Sequence, residues 1–193
     1  MPIKPLLPNT STRGASASPI AASARLAAPQ LVRRLVLVGT GPRSGEGMAT
    51  LTTEAQAIFG KRYASPDELW QHVHFDATET SQAAGAAFLK RFRLRRENRD
   101  PEVSEKVAPA QIAALSKWGA SRENPYQYLN AIKQPTLVIN GDHDVIIYTV
   151  NSYLLQQNIP NAQLILYPDA GHGSLYQYPT RFVGHVSMFL SED

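Results

Sequence analysis

Pro135-Thr-Leu-Val-Ile-Asn-Gly-Asp-His-Asp144 is an apolar run cut off by a glycine turn that carries acids. A second unit, Asn161-Ala-Gln-Leu-Ile-Leu-Tyr-Pro-Asp-Ala-Gly-His172, ends 28 residues after Asp144 on a histidine flanked by Gly171 and Gly173. Short continuous apolar runs bounded by turn residues suit strands covered on both faces, as in a parallel sheet. Val150 to Asn158 reads as the helix between them, and a right-handed strand–helix–strand crossover makes the strands parallel neighbours. Their carboxyl ends then share one sheet edge, where open α/β sheets place their chemistry.

His172 is the first candidate at that edge. Its glycine neighbours let the backbone turn sharply and leave the imidazole uncovered, free to move protons near neutral pH. Asp144, three residues past Gly141, is placed to accept the imidazole's other N–H, fix its tautomer and stabilise the imidazolium. Asp142 and Asp169 compete for that role. Asp142 sits close to the strand's final turn and Asp169 only three residues before the histidine, so each reads better as a turn cap. An acid and a histidine are two members of a Ser-His-Asp triad, and the nucleophile belongs upstream.

Working outward, Val32-Arg-Arg-Leu-Val-Leu-Val38 is a further strand, ended by Gly39-Thr-Gly-Pro42. From Glu46 to Leu129 no convincing strand follows. Thr53 to Phe59 reads as a helix stopped by Gly60, and Ser65-Pro-Asp-Glu opens another with a cap residue and proline at the first helical position. Thr80 to Arg96 and Pro109 to Trp118 complete the helical region, which has the look of a lid inserted between sheet strands. Thr180 to Leu190 closes the chain as an amphipathic helix with Phe182, Val183, Val186, Phe189 and Leu190 on its apolar side.

Taken together, Pro135 to Asp144 and Asn161 to His172 resemble the C-terminal half of the α/β-hydrolase fold family, in which the acid follows the seventh strand and the histidine the eighth. Leu31 to Pro42 resembles the family's sixth strand. The resemblance implies an α/β class, a partial α/β-hydrolase fold, with a mostly parallel sheet and an inserted helical cap. The implied parts are a core at 29–45 and 130–193, a helical cap at 46–129, and an irregular segment at 1–28. It also implies esterase-like, lactonase, haloperoxidase-like, dehalogenase or acyltransferase chemistry on a small hydrophobic substrate, with no cofactor. Asp144 and His172 take the acid and base positions.

The family's nucleophile stands on a Gly-x-Ser-x-Gly elbow one helix before the sixth strand. Here that place holds Gly14-Ala-Ser-Ala-Ser-Pro19, so Ser16 is a weak nucleophile candidate: Ser18 replaces the second glycine, and a side chain resists the tight backbone the elbow requires. No strand feeds it. The chain reads as N-terminally truncated, an Asp-His pair without a recognisable nucleophile. The alternative is a degenerate, non-catalytic fold copy that acts, if at all, as a binding protein.

Composition narrows the remaining classes. Nineteen basic against 16 acidic residues give a net charge of +3. The densest basic run, Lys90 to Arg96, is followed at once by Glu97 and Asp100 and reads as a solvated helix face rather than a nucleic-acid surface. The absence of Cys rules out disulfides and thiolate chemistry. Gly39-Thr-Gly-Pro-Arg-Ser-Gly has the wrong spacing for a dinucleotide loop, and His72-Val-His74 lacks a third ligand for a metal. No apolar stretch suffices for a membrane span or a secretory signal, so no membrane partner and a cytoplasmic location are expected.

Overall fold

The computed structural model describes residues 32–99 and 104–192; the segment 1–28 and Ser16 lie outside them. Three strands form one parallel sheet, β1 (Leu35–Val38), β2 (Thr136–Gly141) and β3 (Ala162–Tyr167), in that spatial order. Val38 lies opposite Ile139, and Gly141 opposite Tyr167. Helices α1 (Thr53–Phe59), α2 (Pro66–His74), α3 (Glu79–Phe92) and α4 (Val107–Gly119), then a 3-10 turn (Gln127–Ala131), intervene between β1 and β2. Helix α5 (Val150–Asn158) makes the crossover to β3, and α6 (Ser174–Gln177) and α7 (Pro179–Ser191) follow.

The alternation of side chains along the strands divides the core in two. Leu35, Leu37 and Val138 face Leu129, Ile132, Leu155 and Ile159 on one side. Leu137, Ile139 and Tyr167 face Ala170 and Phe189 on the other, with Phe182 and Val186 of α7 packed against them. Every residue of the central strand β2 is buried. This is the helix–sheet–helix sandwich that continuous apolar strands demand.

Local chemistry sets the helix starts. The side chains of Thr52, Ser65 and Thr78 accept from the backbone N–H groups of Ala55, Glu68 and Ser81, and Glu68 reaches back to the Ala64 N–H at 2.8 Å. Gly60 ends α1.

Two boundaries and one helix face differ from the sequence expectation. β1 begins at Leu35, because Arg33 and Arg34 are turned onto the end of α7, donating to Leu190 O and Glu192 O at 2.6 Å each. There the guanidinium groups satisfy carbonyls that the helix leaves open. Helix α3 stops at Phe92 rather than Arg96: Leu94 is 74% exposed, so nothing apolar rewards another turn, and Arg91 and Arg95 would repel at i, i+4. In α7, Phe182, Val186 and Phe189 face the sheet, whereas Val183 and Leu190 point outward, 60% and 40% exposed.

Candidate active site

The tips of β2 and β3 are knit together before either candidate residue appears. Asp142 N–H donates to Tyr167 O and His143 N–H to Ala170 O, both at 3.0 Å, and Asp142 Oδ1 accepts from Ala170 N–H at 3.2 Å. Gly141 permits that approach, since a Cβ there would lie 2.0 Å from Ala170 O. Asp142 thus staples the two loops.

Asp144 comes next and is almost completely buried. Its Oδ1 accepts from the N–H groups of Ile146 at 2.9 Å and Ile147 at 3.0 Å. Its own N–H donates to Thr149 Oγ1, which donates in turn to Gly141 O at 2.8 Å. Both bonds fold the turn back onto the strand end and leave Oδ2 aimed at the neighbouring loop. There Asp144 Oδ2 meets His172 Nδ1 at 2.9 Å. The carboxylate accepts, so Nδ1 carries the proton and Nε2 presents its lone pair. Among the described residues no hydrogen bond reaches Nε2, and the ring keeps 17% of its side-chain surface open.

Electrostatics favour that pairing. Burial works to lower the His172 pKa, but the Asp144 charge and hydrogen bond together outweigh it and hold His172 above the usual histidine value. The ring rests against Gly39, at the end of β1, whose φ is +55° and where a Cβ would come within 3.2 Å of Cε1. Glycine is required there for both conformation and clearance. The sequence marks Gly39 as the end of a strand but not as a neighbour of the histidine; the available signal is a glycine directly after an apolar strand.

His74 was also missed in this setting. Its ring lies 5.8 Å from that of His172 and stacks on Trp70 at 3.8 Å. Nδ1 donates to Trp70 O at 2.8 Å. Burial, then the neighbouring His172, push its pKa down to about 4, so the His74 ring is uncharged at neutral pH. Nothing in the spacing of two residues 98 positions apart announces that contact. His72 turns away, bonding Glu68 O at 2.8 Å. Asp169, the other competing acid, does not reach His172; its carboxylate receives the hydroxyls of Thr78 and Thr80.

A cavity of about 50 Å³ adjoins the acid's turn, lined by Met48, Leu51, Ile112, Leu115, Ile146 and Ile147. Its walls are mainly aliphatic, with the hydroxyl residues Thr50 and Ser116 among them. The larger aromatic rings of the helical region pack against one another: Trp70 stacks with Phe88 at 4.9 Å and Phe88 with Phe92 at 5.9 Å, while Trp118 packs edge-on to Tyr128.

A parallel sheet with an acid and a histidine on adjacent strand tips, and helices inserted after the strand beside them, defines the α/β hydrolase fold. The chain belongs to that family, whose model matches residues 17–179. It is 30% identical over 166 residues to the pimeloyl-[acyl-carrier protein] methyl ester esterase of Nitrosomonas europaea, covering 82% of this chain and 62% of that protein. It is 51% identical over 102 residues to a poly(3-hydroxyalkanoate) depolymerase of Ectopseudomonas oleovorans, covering 49% of this chain and 35% of that one. Among solved structures, an α/β hydrolase fold protein from Chitinophaga pinensis superposes with a TM-score of 0.81 at 31% identity, over 90% of this chain and 62% of that chain. The chain therefore spans under two thirds of the length of these relatives. No helix among the described residues is long and apolar enough to cross a membrane.

Proposed function

We propose that Asp144 and His172 are the acid and base of a Ser-His-Asp hydrolytic site acting on an ester or related acyl group, with residues 46–129 as its cap. The observation that carries this reading is the Asp144–His172 hydrogen bond, with the ring of His172 partly open to solvent. In the reaction a serine Oγ attacks the acyl carbon while its proton passes to Nε2. The imidazolium is held by the buried carboxylate, and the same proton then leaves with the alcohol. Asp144 keeps its position because two backbone N–H groups bind its other oxygen. The largely apolar cavity beside that turn suits a small apolar substrate group, and the activities named for two relatives, a methyl ester esterase and a poly(3-hydroxyalkanoate) depolymerase, fit ester cleavage.

A second reading rests on one specific observation: Ser18 stands where the second glycine of a nucleophile elbow belongs. A chain that lacks the nucleophile keeps the fold and pair but acts as a binding protein. Hydrolysis of p-nitrophenyl acetate by the purified chain, beside Ser16→Ala and His172→Ala variants, separates the two. Turnover lost in His172→Ala supports the hydrolase; rates that match in all three proteins sink it and leave the binding reading.

A further inference from the structure

His172 stands on a loop gripped from the cap side by a closed hydrogen-bond circuit. Asp169, three residues before it, takes the hydroxyls of Thr78 (2.6 Å) and Thr80 on its carboxylate. Thr78 is also the N-cap of α3, accepting from Ser81 N–H at 3.2 Å. The buried Ser81 hydroxyl donates to Gln177 Oε1 at 2.7 Å, and Gln177 Nε2 donates back to Asp169 O at 2.6 Å. The circuit thus brackets His172 on both sides in sequence.

Two further fastenings lie alongside. Gly173 N–H donates to His74 O at 2.6 Å, and His143 Nδ1 pairs with Asp76 at 3.0 Å. Glycines flank His172 because the cap backbone lies against them: a Cβ on Gly173 would stand 2.7 Å from His74 Cβ, and one on Gly171 would stand 3.2 Å from Asp76 N. Asp169 itself is held at φ +54°, a left-handed conformation that a non-glycine residue adopts at a cost unless its surroundings fix it.

We propose that Asp169 is a positioning residue for His172: by clamping α3 of the cap to the loop, it fixes the distance and tilt at which the imidazole meets Asp144. This deepens the reading of the site given above and rests on it. The clamp makes cap seating and the geometry of the base one event. Thr78, Thr80, Ser81 and Gln177 are its other parts. The carboxylate's pKa is lowered by the Thr78 and Thr80 hydroxyls, with the nearby His143 adding to the effect, so the clamp is an anion at neutral pH.

The test is histidine side-chain NMR on the full chain, following the His172 titration and its low-field Nδ1 proton, with Asp144 and His74 as the groups that face the ring. The wild type shows His172 titrating above an ordinary histidine with a slowly exchanging Nδ1 proton. Asp169→Ala loses that proton signal and lowers the His172 midpoint by about half a pH unit or more. Arg93→Ala, which breaks the exposed cap ion pair to Asp67, changes neither. Thr80→Val gives the same direction more mildly and stands in if Asp169→Ala fails to fold; Thr80→Ser restores the wild-type signals. A folded Asp169→Ala or Thr80→Val with wild-type His172 signals overturns the clamp alone. A wild type whose His172 is uncoupled from Asp144 overturns the acid–base reading itself, and the clamp with it.

Discussion

His172 and His74 face each other across 5.8 Å, yet the fold moves them in opposite directions, and the pH dependence of stability follows from that. His172 binds its proton more tightly folded than unfolded. Its contribution is complete below the unfolded value of about 6.5 and disappears as pH rises through the raised folded value. His74 binds its proton less tightly folded, its pKa falling from 6.5 to about 4. Its contribution is complete above about 6.5 and is lost as pH falls towards 4, by up to about 3 kcal/mol. Urea midpoints measured from pH 4.5 to 9 are expected to fall on both sides of a maximum. His74→Asn, which keeps a donor for Trp70 O, flattens the acid limb; His172→Gln flattens the alkaline one. An acid limb unchanged in His74→Asn contradicts the burial assigned to that ring. Asp144 gives a second test at this scale. Asp144→Asn retains an oxygen for the Ile146 and Ile147 N–H groups while losing the charge that raises His172. Asp144→Ala loses both and strands two N–H groups, at about 1–3 kcal/mol each. Chemical denaturation should rank the alanine variant well below the asparagine one, with the His172 midpoint lowered in both.

At the scale of elements, the legible parts were those whose cause is local. Ser65-Pro-Asp-Glu announces α2 because a hydroxyl, a fixed proline φ and first-turn acids act within four residues, and the structure starts the helix at Pro66. Leu137, Val138 and Ile139 announce a doubly covered strand because both faces are apolar, and all three are buried. The end of α3 was not legible: Arg93 to Arg96 continue a helical pattern, and the lack of a neighbour for Leu94, with repulsion between Arg91 and Arg95, stops it. The short helix after His172 was hidden too, since Ser174 to Gln177 carry no periodicity in four residues. Glycines show the same divide between local and distant causes. Gly184 lies in α7, and a methyl group added there would meet nothing within 4 Å, so Gly184→Ala is expected to stabilise by about 0.5–1 kcal/mol through helix propensity. Gly141→Ala drives a Cβ to 2.0 Å from Ala170 O, backbone that cannot give way without parting the loops that carry Asp144 and His172. A loss of about 3 kcal/mol is expected. Urea titrations of both variants check the contrast, and similar values for the two would refute it.

For the whole molecule, the sequence disclosed which strand tips would carry an acid and a histidine but not how the helices between β1 and β2 would pack against them. The strand-tip pairing follows from a local rule, parallel neighbours sharing an edge, whereas the contacts of those helices join residues about 90 positions apart, such as Asp169 with Thr78. These contacts are expected to make the helices, the proposed cap, part of one cooperative unit with the sheet. At one end, Trp70 lies 5.3 Å from Tyr176 of α6. At the other, the Arg43 guanidinium lies 4.9 Å from the Trp118 ring and 4.6 Å from Tyr128, and Trp118 Nε1 donates to Gly41 O at 3.1 Å. The two tryptophans therefore report on opposite ends of the helical region, Trp70 beside α6 and Trp118 beside the end of β1. Trp118→Phe leaves Trp70 as the probe beside the histidine loop; Trp70→Phe leaves Trp118 beside the end of β1. If cap and sheet unfold together, fluorescence and far-ultraviolet circular dichroism give coincident urea transitions within each variant. A cap held only by its own aromatic stack, Trp70 on Phe88 and Phe88 on Phe92, would lose its junctions first, and both fluorescence curves would then precede the loss of sheet signal. Coincidence is the expected result, because the Asp169–Thr78 bond and the Trp70–Tyr176 contact bind these helices to the segments on either side of His172 and the Trp118–Gly41 bond binds them to the chain just past β1.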